Sequence, residues 1–158
     1  MVLTFAYGYY LKLGASELFY PDYITHQVAV QSEWFVTALG YASSIIPHPD
    51  EASMKLIVEN HFVARVVEGC NGISVIILFT SFVIAFYQGI KKIILFLSFG
   101  WLLIYAINVS RIALISVGLY EIPQYSGILH DVFFPGIIYG TVVILWLVWI
   151  KQFKKSQD

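Results

Sequence analysis

The chain has 158 residues, 59% of them hydrophobic and 12% charged, with a formal net charge of −1. Soluble domains are about 45–50% apolar and about 25% charged, and a chain this short has no water-soluble core large enough for so much apolar surface. Lipid must therefore be the solvent for much of it, the charge balance offers nothing to nucleic acid, and a single cysteine excludes an internal disulfide.

Residues 1–15 lack the basic start and the cleavage site of a signal peptide. They read as a short or partial first membrane segment. Residues 16–69 carry Glu17, Asp22, Glu33, Asp50, Glu51, Glu59 and Glu68 against only Lys55 and Arg65. That scarcity of Lys and Arg predicts an extracytoplasmic segment. Within it, Val28, Trp34, Phe35, Ala38, Leu39 and Ile45 recur at helical spacing, so 26–46 is expected to be an amphipathic helix lying on the outer surface. The rival is a spanning helix, which would carry Glu33 to membrane depth at ~2.5–3.5 kcal/mol. Residues 47–53 are a turn-rich linker. The runs MKLIV and HFVARVV, separated by Glu59–Asn60, predict a β-hairpin outside the membrane.

Three apolar stretches follow, at 70–90, 93–107 and 132–150. A helix needs about 20 apolar residues to cross the hydrocarbon core. The second stretch needs its continuation to residue 120, as one long helix or as a spanning helix with a bent outer piece. Lys91 and Lys92 follow the first stretch, and Lys151, Lys154 and Lys155 follow the last. The positive-inside rule puts both clusters, and the C-terminus, in the cytoplasm. The expectation is a single integral membrane domain, 1–158, with a helical core at 70–150. It is an all-α polytopic fold of about four transmembrane helices, plus the surface helix and the hairpin.

This topology brings Cys70, Arg111 and His130 to the outer face, each at the edge of an apolar segment. A cysteine at a helix N-terminus sits where the dipole favours a thiolate. The N–H groups of Asn71 and Gly72, unpaired in a first turn, are candidate oxyanion donors. Arg111 is a permanent cation with a rigid donor fork, and Asn108 lies one turn earlier on the same face. His130 suits a proton shuttle. Glu68 stands two residues before the thiol, where it pairs with an arginine or contacts substrate. Each residue also has a plainer role. A lone cysteine is usually a small hydrophobe, an arginine at a helix end snorkels to headgroups, and Asp131 beside His130 is a plausible N-cap for the final helix. His26, His48 and His61 show no metal-ligand spacing, so no metal or cofactor is expected.

The segment Glu68-Gly69-Cys70-Asn71-Gly72 resembles the E-x-C-x-G box of the exosortase/archaeosortase family. Asn108-Val109-Ser110-Arg111 resembles its N-x-x-R box, and His130 with the aromatic helix after it resembles its histidine box. The small size, the Cys-Asn-Gly variant and the HDVFF ending are most similar to the exosortase F group of Bacteroidota. The resemblance covers roughly residues 20–150. It implies an inner-membrane cysteine peptidase or transpeptidase with its active site on the periplasmic side. The implied partners are exported proteins that end in a short motif, a transmembrane helix and a basic tail, with a co-encoded membrane protein as a further candidate. Cys70 would be the nucleophile, Arg111 the transition-state stabiliser and His130 the general acid/base, supported by Glu68, Asn71, Gly72 and Asn108. The alternative from another class is a non-catalytic scaffold subunit of an exopolysaccharide or protein-secretion system, which would tolerate loss of Cys70.

Overall fold

The computed structural model describes residues 2–13 and 20–155. Helices α1 (Val2–Leu13) and α2 (Tyr23–Ala38) come first. Strands β1 (Ser43–Pro47), β2 (Ser53–Val58) and β3 (His61–Val67) follow as one antiparallel sheet in the order β1-β2-β3. A single 3-10 turn, Glu68–Cys70, leads to α3 (Ile73–Ala85), and α4 (Ile90–Glu121) runs 32 residues without a break. Short turns, including α5 (Ser126–Ile128) and a π-helical stretch at Leu129–Phe133, lead into α6 (Phe134–Lys155).

The expected hairpin is present, and its tip is Glu59–Asn60, with both residues at positive φ. Three other expectations change. The predicted helix at 26–46 ends at Ala38, because Gly40 turns the chain at φ +96. Residues 43–47 then pair with β2 as a third strand, so the fold is mostly helical rather than all-α. The stretch 70–90 yields a helix of only 13 residues, or ~20 Å, short of the ~30 Å hydrocarbon core. Its ends are consumed by turns at Gly72 and Gly89, both at positive φ. Two helical stretches, Ile90–Glu121 and Leu129–Gln152, are long and apolar enough to cross a membrane among the described residues.

Helix α4 is ~48 Å long and serves two cores. Toward its start, Ile93 and Ile104 pack with Phe79 and Val83 of α3 and with Val142, Leu145 and Trp149 of α6. This is the membrane bundle, and its outward faces carry exposed Leu95, Leu102, Ile144 and Leu147. Gly100 allows the close crossing of α3 and α4, since a Cβ there would stand 2.3 Å from the Phe79 ring. Interhelical hydrogen bonds close the bundle, as expected where no water competes. Trp101 Nε1 donates to Thr80 Oγ1 at 2.8 Å, and Trp149 Nε1 donates to the Phe86 carbonyl at 3.0 Å.

Toward its end, α4 becomes the spine of a headpiece. Val109 and Ile112 pack with Val28 and Ala29 of α2 and with Met54, Leu56 and Val66 of the sheet. Ala113 packs with Val36 and Val58. The apolar stripe of α2 is thus covered by its own protein, and Ser32, also on that face, donates to the Val28 carbonyl at 2.7 Å. Its other side exposes Tyr23, Val30 and Trp34. Asn108 and Arg111 mark the level where bundle gives way to headpiece.

Candidate active site

The nucleophile candidate sits on a turn built by its neighbours. Asn71 is 1% exposed, and its side-chain oxygen accepts from the Ile73 N–H at 3.0 Å, which starts α3. Its Nδ2 donates to the Tyr7 hydroxyl at 2.6 Å and to Thr25 Oγ1 at 3.1 Å. One buried side chain therefore ties this turn to α1 and α2. Gly72 lies at φ +82, and a Cβ there would stand 3.2 Å from the Asn108 side chain. Both the backbone angle and the space select glycine.

Asn108, also 1% exposed, donates from Nδ2 to the Cys70 carbonyl at 2.8 Å. It holds the cysteine's backbone against α4. The sequence placed Asn108 only on the Arg111 face of its helix; the bond to the Cys70 carbonyl is given by the fold. Asn108→Ala should cost ~1–3 kcal/mol, the usual loss when a buried carbonyl is orphaned. Thermal unfolding in detergent would measure it. Asn108→Asp should not restore stability, because an ionised carboxylate cannot donate.

Two expectations about the turn are corrected. Cys70 does not occupy the first turn of α3. It closes the 3-10 turn, and Gly72 is the N-cap. The Asn71 N–H is directed to the Glu68 carbonyl at 3.4 Å and is not an unpaired donor. Chain direction makes both adjustments necessary, because the strand must turn before it can descend as a helix.

Cys70, Arg111 and His130 line one cleft of about 330 Å³. Its walls are Val63 to Val66 of β3, Gly69 and Cys70 of the turn, Arg111, Ile112 and Ile115 of α4, and His130 and Pro135 from the last segment. A smaller pocket adjoins it, sharing Gly69, Arg111 and Pro135 and reaching Gly72 and Asn108. Arg111 Nε is buried and finds no acceptor among the described residues. Arg111 itself lines both the cleft and the smaller pocket, so its guanidinium is the fixed cation nearest Cys70's turn on the α4 wall.

His130 lies within the π-helical stretch, a feature frequent at functional sites. Its Nδ1 is 2.8 Å from Asp131 Oδ1. A carboxylate only accepts, so Nδ1 carries the proton and Nε2 is left as the basic nitrogen of the neutral ring. Asp131 thus orients the imidazole instead of capping α6. The two side chains are 69% and 73% exposed, so the pair contributes little to stability.

Glu68 is absent from the walls of the cleft. Burial, with a smaller contribution from the Asp22 charge, pushes its carboxyl above the usual range. No arginine pairs with it among the described residues. The cleft's other cation is Arg65, which the sequence did not single out. Its Nη1 meets Glu51 at 2.6 and 2.8 Å. Arg65 belongs to no motif, and strand register alone brings it here; Asp131 lies in the HDVFF run, but its role beside the imidazole shows only in the local pairing.

No characterised protein and no solved structure matches the chain. The family model for transmembrane exosortases matches residues 4–150. That match spans the bundle, the headpiece and the cleft between them, and the chain belongs to the transmembrane exosortase family.

Proposed function

We propose that the protein is a membrane cysteine peptidase or transpeptidase that cleaves C-terminal sorting signals of exported proteins. The observation that carries this reading is the shared cleft of Cys70, Arg111 and His130. The lysine clusters support placing that cleft at the periplasmic face of the inner membrane, with the C-terminus in the cytoplasm. The substrate's transmembrane helix then lies beside α3 and α6, and its basic tail stays in the cytoplasm.

Each step follows from a side chain in the cleft. His130 Nε2 takes the Cys70 thiol proton, and the resulting thiolate attacks the scissile carbonyl, giving a tetrahedral oxyanion held by the Arg111 guanidinium, with the imidazolium now carrying the proton for the leaving amine. His130 protonates the departing amine, and the C–N bond breaks to leave a thioester on Cys70. A nucleophilic acceptor, deprotonated by His130 Nε2, attacks the thioester and releases the thiolate. Asp131 accepts from Nδ1–H in both the neutral and the charged ring, so Nε2 is the nitrogen that takes and returns the proton.

The test is the intermediate itself. With a tagged exported protein bearing such a signal, a covalent adduct with this chain should accumulate and be released by hydroxylamine, which cleaves thioesters. Processing that proceeds without any such adduct would exclude an acyl-enzyme. The scaffold reading forecasts no adduct and full tolerance of a missing thiol.

A further inference from the structure

Strand β3 is an edge of its sheet: β2 pairs with one side, and no strand pairs with the other among the described residues. Four consecutive β3 residues, Val63 to Val66, line the cleft. Val63 is the extra residue of a bulge, since Leu56 pairs with Ala64 and Ile57 with Phe62, and Val63, Ala64 and Val66 all pack on the side toward α2 and α4. Side chains alternate on a strand, so Arg65, between Ala64 and Val66, points to the opposite face, and a cleft that meets both faces runs past the strand's open edge. That edge is a row of backbone donors and acceptors, and the facing wall is mostly apolar, formed by Ile112, Ile115 and Leu119 of α4. The occupant that pairs with alternating N–H and C=O groups is another extended backbone. Exposed edges are commonly blunted by charge, proline or a covering element; here the edge is left open inside the same cleft as Cys70.

We infer that the segment of the substrate preceding its membrane helix adds to this sheet as a fourth strand, parallel to β3. The inference rests on the sorting-signal reading above. The direction follows from connectivity. Strand β3 runs into the turn bearing Cys70, and α3 departs from there into the bundle. A substrate strand ending at Cys70 and continuing as a helix beside α3 must run the same way. An antiparallel substrate would release its helix at the His61 end, away from the bundle. Main-chain pairing supplies affinity that is nearly independent of sequence. Selectivity is left to the side chains that meet Arg65 and the α4 wall.

The experiment uses the full-length chain with Cys70→Ala, which binds but does not cleave, in membranes with the tagged substrate. Single cysteines are placed at Phe62, Val63, Ala64 or Arg65 and scanned against single cysteines in the substrate ahead of its helix. Phe62 and Arg65 are exposed, so substitution there spares the core. The expected result is disulfide formation in register, where a one-residue step along β3 moves the substrate partner one residue in the same direction. Register in the opposite direction, cross-links to cysteines at Ile115 or Leu119 but none to β3, or cross-links only between two copies of this chain would each overturn the proposal. The peptidase reading fails separately, if processing survives Cys70→Ala.

Discussion

Cells in which Cys70 is replaced by alanine should leave the tagged substrate unprocessed, with a rate at least ~10⁴-fold below the parent. Removing the nucleophile of a catalytic unit typically costs this much or more, because the remaining groups have nothing to activate. The loss should be chemical and not structural. The bond that seats this residue comes from Asn108 to its main-chain carbonyl, and alanine keeps that carbonyl. Asn71 and Gly72, which shape the turn, are untouched. The variant protein should therefore reach normal levels in the membrane. Cys70→Ser should resemble alanine, since the thiolate is the attacking species and a hydroxyl is far less readily ionised. Processing at the parental rate in the alanine variant would leave only the scaffold role.

Replacing Arg111 with lysine should slow acylation by ~10²–10³-fold, the usual effect of losing one oxyanion donor. Lysine keeps the charge but not the planar fork. Arg111 lines the cleft that holds Cys70, and the loss of its fork at that wall is what makes this discriminating. If Arg111 only anchored the helix to lipid phosphates, lysine would substitute without loss and the rate would be unchanged. Single-turnover accumulation of the thioester reads the chemical step directly, free of product release. A membrane level equal to the parent's would separate this from misfolding, and Arg111→Ala should be no faster than lysine.

Much of the organisation was legible because lipid imposes simple rules. Apolar runs, lysine clusters and the Glu59–Asn60 turn each act locally, so the bundle and the hairpin could be read directly. The single helix at 90–121 was among the expected forms for the same reason. The misread segments are those where tertiary contacts outweigh local pattern. Ser43-Ser44-Ile45-Ile46-Pro47 has too little periodicity to announce a strand, and it becomes one because β2 offers an edge. Residues 26–46 look amphipathic toward a membrane, yet the covered stripe faces α4 and the sheet. The stretch 70–90 is apolar throughout, yet its turns shorten the helix, because Asn71 and Gly72 are committed to seating Cys70.

The amino-acid sequence alone determined that this is a membrane protein and that Cys70, Arg111 and His130 are the residues to watch, since hydropathy, charge and short motifs are properties of the chain itself. Only the tertiary structure decided what surrounds them. It joined Asn108 to the Cys70 carbonyl, set Asp131 on the imidazole, brought Arg111 into the cleft wall and laid the open edge of β3 along that cleft. Such relations depend on strand order, helix crossing and register. These emerge from the packing of distant segments, which no window of the sequence contains.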